Sequence, residues 1–207
     1  MLLVRLREKK HKNKMKRIIL FTALAVVLSL QTKAQKGLKE GDKAPMFSGM
    51  DQNGKIVSLK SVLKAHRSVV LFFYRGQWCP YCNKHIKELQ DSLSLLSGKD
   101  AYVIGVTPET KENIDKTIKK TSAGFSILQD KDDAIMKAYN VNFMMDEATF
   151  TKYKGYGINL EDNNGNTRHT LPVPATYIID RSGKIKYVHF DPNYQKRASV
   201  KLLLSKL

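Results

Sequence analysis

Residues 68–74 (SVVLFFY) and 101–106 (AYVIGV) are continuous apolar runs, rich in β-branched and aromatic side chains. Runs of that length with no polar face read as strands covered on both sides. Between them the period changes. Pro80 suits a first helical position, and Ile86, Leu89, Leu93 and Leu96 recur at helical spacing as far as Gly98, which predicts one helix over 80–98. Thr107-Pro108-Glu109-Thr110 then opens a second helix with Ile114 and Ile118 on one face, followed by a short third strand at 125–128 and a helix at 132–139. Upstream, PMFSGMDQNGKIVSLKSVL (45–63) holds two short extended stretches around Asn53-Gly54, a hairpin signal. Residues 141–171 have no regular period and carry Gly155, Gly157 and a polar stretch at 161–168. From Pro174 two strands, 175–179 and 184–190, flank the turn Asp180-Arg181-Ser182-Gly183, and a last helix is expected from residue 194 to the end with Val200, Leu203 and Leu204 inward. Strands alternating with helices predict an α/β sandwich: a mixed, mostly parallel sheet with helices on both faces and antiparallel strands at one edge.

The first 34 residues follow another pattern. Lys16 and Arg17 precede an apolar run over 18–30, and Thr32-Lys33-Ala34 places small residues just ahead of Gln35. That is the layout of a secretory signal peptide, with cleavage expected after Ala34, Met15 as the true start and 1–14 as an upstream extension. Thirteen positions fall short of the ~20 that a membrane-spanning helix needs, so no stable membrane insertion is expected after cleavage; the alternative is an uncleaved anchor. The organisation is then a leader over 1–34, a polar lead-in over 35–44 and one domain over 45–207. The expected location is periplasmic or secreted, where disulfides persist.

Composition changes this picture little. Apolar residues at 42% and charged residues at 27% exclude a chain that is disordered throughout. The net charge of +17 raises the question of nucleic acid, but nine Lys or Arg against Glu8 lie in residues 1–34. The remaining 27 bases and 18 acids are dispersed, without an aromatic-interleaved basic stripe. A solvated surface accounts for them better than a nucleic-acid partner does.

Both cysteines of the chain, Cys79 and Cys82, stand in FFYRGQWCPYCNKH (72–85), between the first buried strand and its helix. At a helix start the unpaired N–H groups and the positive end of the dipole favour a thiolate at Cys79, and Arg75 and Lys84 add positive charge nearby. A thiol so placed has its pKa lowered toward the reactive range. Cys82 lies one turn on, where its sulfur can meet that of Cys79; one thiol attacks and the other resolves, a two-electron redox centre. Cys79, Cys82 and His85 also run as C-x2-C-x2-H, but a structural zinc needs four ligands and no second pair exists; His66, His169 and His189 are isolated. No metal and no prosthetic group is therefore implied, since sulfur carries both electrons. Val173-Pro174 stands just before a strand, where either a cis bond or an ordinary trans proline is possible.

A strand, W-C-P-Y-C, a long helix and a later V-P-A-T strand with its hairpin together resemble the thioredoxin superfamily. Within it, FYRGQWCPYCNKHIKEL, YGINL…NGN…LPVPATYIIDRSGKI and DPNYQKR are similar to the peroxiredoxin-like branch of the alkyl hydroperoxide reductase/thiol-specific antioxidant family. The likeness covers residues 37–207. It implies a thioredoxin-like sandwich, a cis Pro174 facing the active cysteine, and thiol-dependent reduction of hydroperoxides or protein disulfides with an external thiol reductant. Two alignments of the site follow from it. In the thioredoxin manner Cys79 is the exposed nucleophile and Cys82 resolves. In the peroxiredoxin manner Cys82 attacks peroxide, Cys79 stands where a threonine is usual and Arg75 replaces a proline. Trp78 either shapes a docking surface or packs against the helix start. The reading from another class is a thioredoxin-like binding module whose pair is a permanent disulfide.

Overall fold

The computed structural model describes residues 36–207; the leader expected over 1–34 lies outside the described residues. The hairpin signal becomes β1 (Ser48–Met50) and β2 (Ile56–Ser58), paired antiparallel. Directly after it comes α1 (Leu59–Ala65), a helix that the extended reading of 45–63 missed. Ser58 is the reason: its side chain accepts the N–H of Ser61 and so starts a helix where β2 stops. β3 (Ser68–Phe73) is buried along its whole length, as its unbroken apolar pattern requires.

The helix expected over 80–98 is two helices, α2 (Pro80–Asp91) and α3 (Leu93–Gly98). Ser92, at φ −108° and ψ 10°, leaves the helical region, consistent with a serine's competing affinity for backbone groups. After the break Leu96 is buried while Leu95 stays exposed. β4 (Ala101–Thr107), α4 (Lys111–Thr121), β5 (Ser126–Gln129) and α5 (Ala134–Ala138) follow where the pattern placed them. The aperiodic stretch holds β6 (Asn142–Met144), α6 (Glu147–Gly155), α7 (Leu160–Asn164) and β7 (Thr170–Pro172). Its strands find each other across the intervening helices, pairing Phe143 with Leu171, a non-local match that no local period announces. β8 (Ala175–Asp180), β9 (Ile185–Phe190) and α8 (Val200–Lys206) close the chain.

The main sheet has the order β5-β4-β3-β8-β9. β3, β4 and β5 run parallel, β8 is antiparallel to β3 and β9 to β8. Alternation along β3 divides the core. Val69, Leu71 and Phe73 face α1 and α5 through Leu59, Leu63, Ile135 and Met136. Val70, Phe72 and Tyr74 face α2, α4 and α8 through Ile86, Leu89, Ile114 and Leu203. Helices thus cover both faces. Gly105 permits the packing on the second side, because a Cβ there would come 2.8 Å from the Phe72 ring.

The last helix starts six residues later than the pattern placed it, at Val200. Ser199 caps α8 by accepting the N–H of Leu202, and the segment ahead of it, 191–198, is a strap with turns of its own at Asp191 and Asn193. The strap lies over the cysteine pair.

Candidate active site

α2 starts where the loop leaving β3 turns back across the sheet end. Cys79 is its N-cap, in extended conformation, and Pro80 supplies the first helical φ. The Cys79 carbonyl accepts from the N–H groups of Cys82 and Asn83, each at 3.1 Å, which holds both cysteines on one rigid turn. Cys82 falls on the same inward face as Ile86 and Leu89. Both cysteines are 1% exposed. The exposed Cys79 expected from the thioredoxin alignment is therefore corrected: α2 buries Cys82 on one side, while the 75–79 loop and the strap carrying Tyr194 and Arg197 enclose the pair.

Arg75 brings a positive charge into this place. Its guanidinium is buried, with Nη2 3.7 Å from Cys79 Sγ and Nη1 donating to the Tyr153 hydroxyl at 3.1 Å. Its carbon lies 3.9 Å from the centroid of the Tyr194 ring and 5.3 Å from that of Trp78. Among the described residues no carboxylate pairs with it. A buried cation without an anion is strongly unfavourable, and the Cys79 thiolate is the anion in contact. The Cys79 pKa is accordingly lowered to about 5, first by donation from the Cys82 thiol and then by the charge of Arg75, against the opposing effect of burial. Cys82 moves the other way: burial and the adjacent Cys79 sulfur push its thiol up. The two thiols are thus shifted in opposite directions, Cys79 toward thiolate and Cys82 toward thiol.

The first turn contributes as its unpaired N–H groups suggested, because the Cys82 N–H also lowers the Cys79 thiol. The cation on the second sulfur is Arg197, with Nη2 3.6 Å from Cys82 Sγ, while Lys84, expected to add charge beside Cys79, is not among the groups that shift it. Arg197 and Tyr194 were legible only as part of DPNYQKR, a motif without a chemical assignment. Their roles follow from the strap that folds back onto Cys82 and Arg75.

Beneath the loop lies Glu109, wholly buried. It accepts the Gln77 N–H at 2.6 Å and the Thr117 hydroxyl at 3.4 Å, and burial raises its pKa to about 8. Gln77 in turn accepts from Asn83 on α2 at 2.8 Å and from Lys120 on α4 at 3.0 Å through its carbonyl, so the loop is pinned by Glu109, α2 and α4 together. The pinning also depends on Gly76, where a Cβ would meet Trp78 Nε1 at 2.5 Å and Glu109 Oε1 at 2.8 Å. His85, one turn beyond Cys82, is buried edge-on to Phe72 at 5.7 Å, and burial lowers its pKa to about 3.

Trp78 is half-buried and packs edge-on against Tyr153 at 5.6 Å, joining the second core to the small cluster of Met145, Phe150, Leu160 and Leu171. Pro174 is buried between β7 and β8, and its peptide bond is trans: no cis bond occurs among the described residues. The cis Pro174 that the resemblance implied is thus corrected. The Val173 N–H bonds to the Val141 carbonyl at 2.7 Å, and this fixes the path from β7 into β8 without a cis turn.

Two cysteines one turn apart at the start of a helix, on the end of a mixed sheet sandwiched by helices, give the architecture of the thioredoxin-like class. The chain belongs to the AhpC/TSA family, which it matches over residues 40–188. It is 32% identical over 149 residues to a putative peroxiredoxin bcp of Helicobacter pylori (strain J99), covering 72% of this chain and 86% of that protein. It is 28% identical over 171 residues to a putative chloroplastic peroxiredoxin Q of Oryza sativa subsp. indica, covering 81% and 68% respectively. Among solved structures the fold is shared with peroxidoxin BcpB from Mycobacterium tuberculosis (TM-score 0.63, 18% identity, 82% of this chain and 96% of that one). It is shared also with a mutant of PrxQ from Xylella fastidiosa (TM-score 0.62, 17% identity, 83% and 96%). The chain is thus a peroxiredoxin-like, thiol-dependent oxidoreductase.

Proposed function

We propose that the protein is an exported thiol peroxidase that reduces small hydroperoxides through Cys79 and Cys82. The observation that carries the reading is the contact at 3.7 Å between the buried Arg75 guanidinium and Cys79 Sγ, beside which the Cys79 thiol is lowered and the Cys82 thiol raised. The thiolate attacks the terminal oxygen of ROOH, the O–O bond breaks, and the alkoxide leaves and takes a proton as ROH. Cys79 is then a sulfenic acid. Cys82 attacks the Cys79 sulfur, the S–O bond breaks, and hydroxide leaves as water with the proton that Cys82 gives up. The Cys79–Cys82 disulfide holds the two electrons' worth of oxidation, and an external thiol reductant restores the pair. Burial of both sulfurs favours a small hydroperoxide over a bulky protein disulfide as oxidant.

Stopped-flow reaction with hydrogen peroxide tests the assignment. Cys79→Ser is expected to abolish the fast phase, whereas Cys82→Ser retains it and stops at the sulfenic acid. A fast phase that survives in Cys79→Ser and is lost in Cys82→Ser would hand the attack to Cys82, as in the peroxiredoxin alignment. A pair that stays oxidised under mild thiol reductants would return the permanent-disulfide module. Export rests on the charged, apolar and small-residue layout of 16–34. The mature N-terminus is expected at Gln35, and sequencing that found Met1 or Met15 on the exported protein would refute it.

A further inference from the structure

Bases that lie scattered along the sequence gather where the chain folds. The loop between α1 and β3 and the turn between β8 and β9 meet at the end of the sheet away from the cysteines, because Ser68 pairs with Asp180. That register brings Arg67 beside Arg181. Lys43 bridges to Lys184, and α1 adds Lys60 and Lys64. These side chains surround two adjoining hollows that share Arg181 and Ser182. One, of about 290 Å³, is lined by Met46, Lys60, Lys64 and Gly183, and the other, of about 330 Å³, by Arg67 and Asp180. All of these cations are exposed, and among the described residues none of them is in an ion pair.

The carboxylates of this end are engaged elsewhere. Asp180 accepts from the N–H and hydroxyl of Ser182 and from the Lys184 N–H. Asp100 faces His66, and Asp42 accepts the Lys39 N–H. The cations remain in excess over them, and a one-signed surface of this kind attracts anions from solution. We propose that this pole docks the protein on an anionic lipid bilayer. Lys43, Lys60, Lys64, Arg67, Arg181 and Lys184 lie among the headgroup phosphates, and Met46 enters between them. Nothing in this depends on which cysteine attacks peroxide.

The make-up of the surface favours a bilayer over other polyanions. Single-stranded nucleic acid is held by aromatic platforms among the cations, and no aromatic side chain lines either hollow. Protein interfaces carry an apolar centre with aromatic anchors, whereas the exposed large apolar side chain among these lining residues is Met46, at 57% exposure. Its Cε reaches over the 180–183 turn, 3.1 Å from where a Cβ on Gly183 would stand. A ring of long basic side chains around an apolar tip is the composition of a membrane-surface contact. The cysteines follow the other end of β3, a strand's length away, about 17–20 Å. They face away from the docked bilayer, so peroxide and reductant reach them from solution and the peroxide reaction keeps its rate.

The test adds vesicles of phosphatidylcholine with phosphatidylglycerol, or of phosphatidylcholine alone, to the full chain at about 0.1 M salt, where charges act over ~10 Å. Lysine acylation is read residue by residue, which scores any contact made by residues 1–34 apart from the domain. Lys43, Lys60, Lys64 and Lys184 should be protected by the anionic vesicles only, and Lys119, Lys154 and Lys201 by neither. The protection should vanish near 1 M salt, where the range falls to about 3 Å. Each charge contributes about fivefold to partition, so Lys60→Gln/Lys64→Gln/Arg181→Gln should need roughly a hundredfold more anionic lipid to protect Lys43 and Lys184. Lys119→Gln/Lys154→Gln/Lys201→Gln removes the same charge from other surfaces and should stay within about fivefold of the unsubstituted chain. Both chains should react with hydrogen peroxide at the unsubstituted rate. Equal weakening by the two sets of substitutions would reduce the effect to net charge and overturn the proposal. Protection that is absent, or that extends to the control lysines, overturns it as well. Protection by a short DNA duplex or by polyglutamate, with none from the vesicles, would give the surface to a nucleic acid or an acidic protein segment instead.

Discussion

The two ends of the central sheet make opposite use of charge. At the end where β3 leads into α2, buried groups face one another with shifted pKa values: Cys79 lowered, Cys82 raised, Glu109 raised. Around the start of β4 the protein has a cavity of about 400 Å³ lined by Asp51, His66, Asp100, Tyr102, Phe125 and Ser126 among others. Its carboxylates are already paired. Asp51 accepts from the N–H groups of Asn53 and Lys55 and from the Ser126 hydroxyl, and Asp100 faces His66 at 2.9 Å. A concave surface ordinarily marks a ligand site, whereas the proposed redox chemistry uses groups whose charge is buried and incompletely balanced.

Mutations can break that contrast, and the largest effect is expected at Cys79. Cys79→Ser should lower the second-order rate with hydrogen peroxide by more than about a thousandfold, since a serine hydroxyl is not ionised at neutral pH. The rate of the unsubstituted protein should fall as the pH drops through about 5, where the thiolate is protonated. The same group links to stability. Its folded pKa lies below the ordinary thiol value, so its contribution is fully present above that ordinary value and is lost as the pH falls through about 5.

Arg75→Met comes next. The thiolate loses its counter-ion, the midpoint of the pH–rate profile should move up from about 5, and the rate at pH ~6 should fall by roughly ten- to a hundredfold. An unmoved midpoint would show that Cys82 alone sustains the thiolate. Iodoacetamide alkylation across the pH range measures it.

Glu109→Gln should act on stability before rate. The raised pKa means that the folded state holds a proton which the unfolded chain has lost, so wild-type stability declines as the pH rises from the ordinary carboxyl range through about 8. Glutamine keeps an acceptor for the Gln77 N–H and cannot ionise. Its denaturation midpoint should therefore decline less between about pH 5 and about pH 9 than that of the unsubstituted protein; parallel profiles would contradict the assignment.

The smallest effect belongs to the other end of the sheet. His66→Ala removes an exposed partner of Asp100, and exposed pairs contribute little. Peroxide kinetics should stay within about twofold of the unsubstituted protein. A large loss of rate would mean that the cavity communicates with the cysteines and that the contrast between the two ends is false.

The amino-acid sequence by itself determined the elements whose signals are local. The apolar runs at 68–74 and 101–106 could only be buried strands, Asn53-Gly54 could only suit a tight turn, and Pro80 after Cys79 marked where α2 begins. The cysteine pair and its first cation, Arg75, lie together within residues 75–82, so the candidate site and one of its charges were legible too. Tertiary structure decided the rest, because burial and through-space charge depend on segments that meet only after folding. Residues 194–198 of the strap read as the start of a helix, yet Tyr194 and Arg197 find Arg75 and Cys82 and the helix waits until Val200. Glu109 reads as a helix-opening residue and becomes a buried acid under the loop. Which sulfur carries the negative charge was open between two alignments. The buried guanidinium of Arg75 draws that charge to Cys79, because its desolvation in the folded core requires an anion beside it.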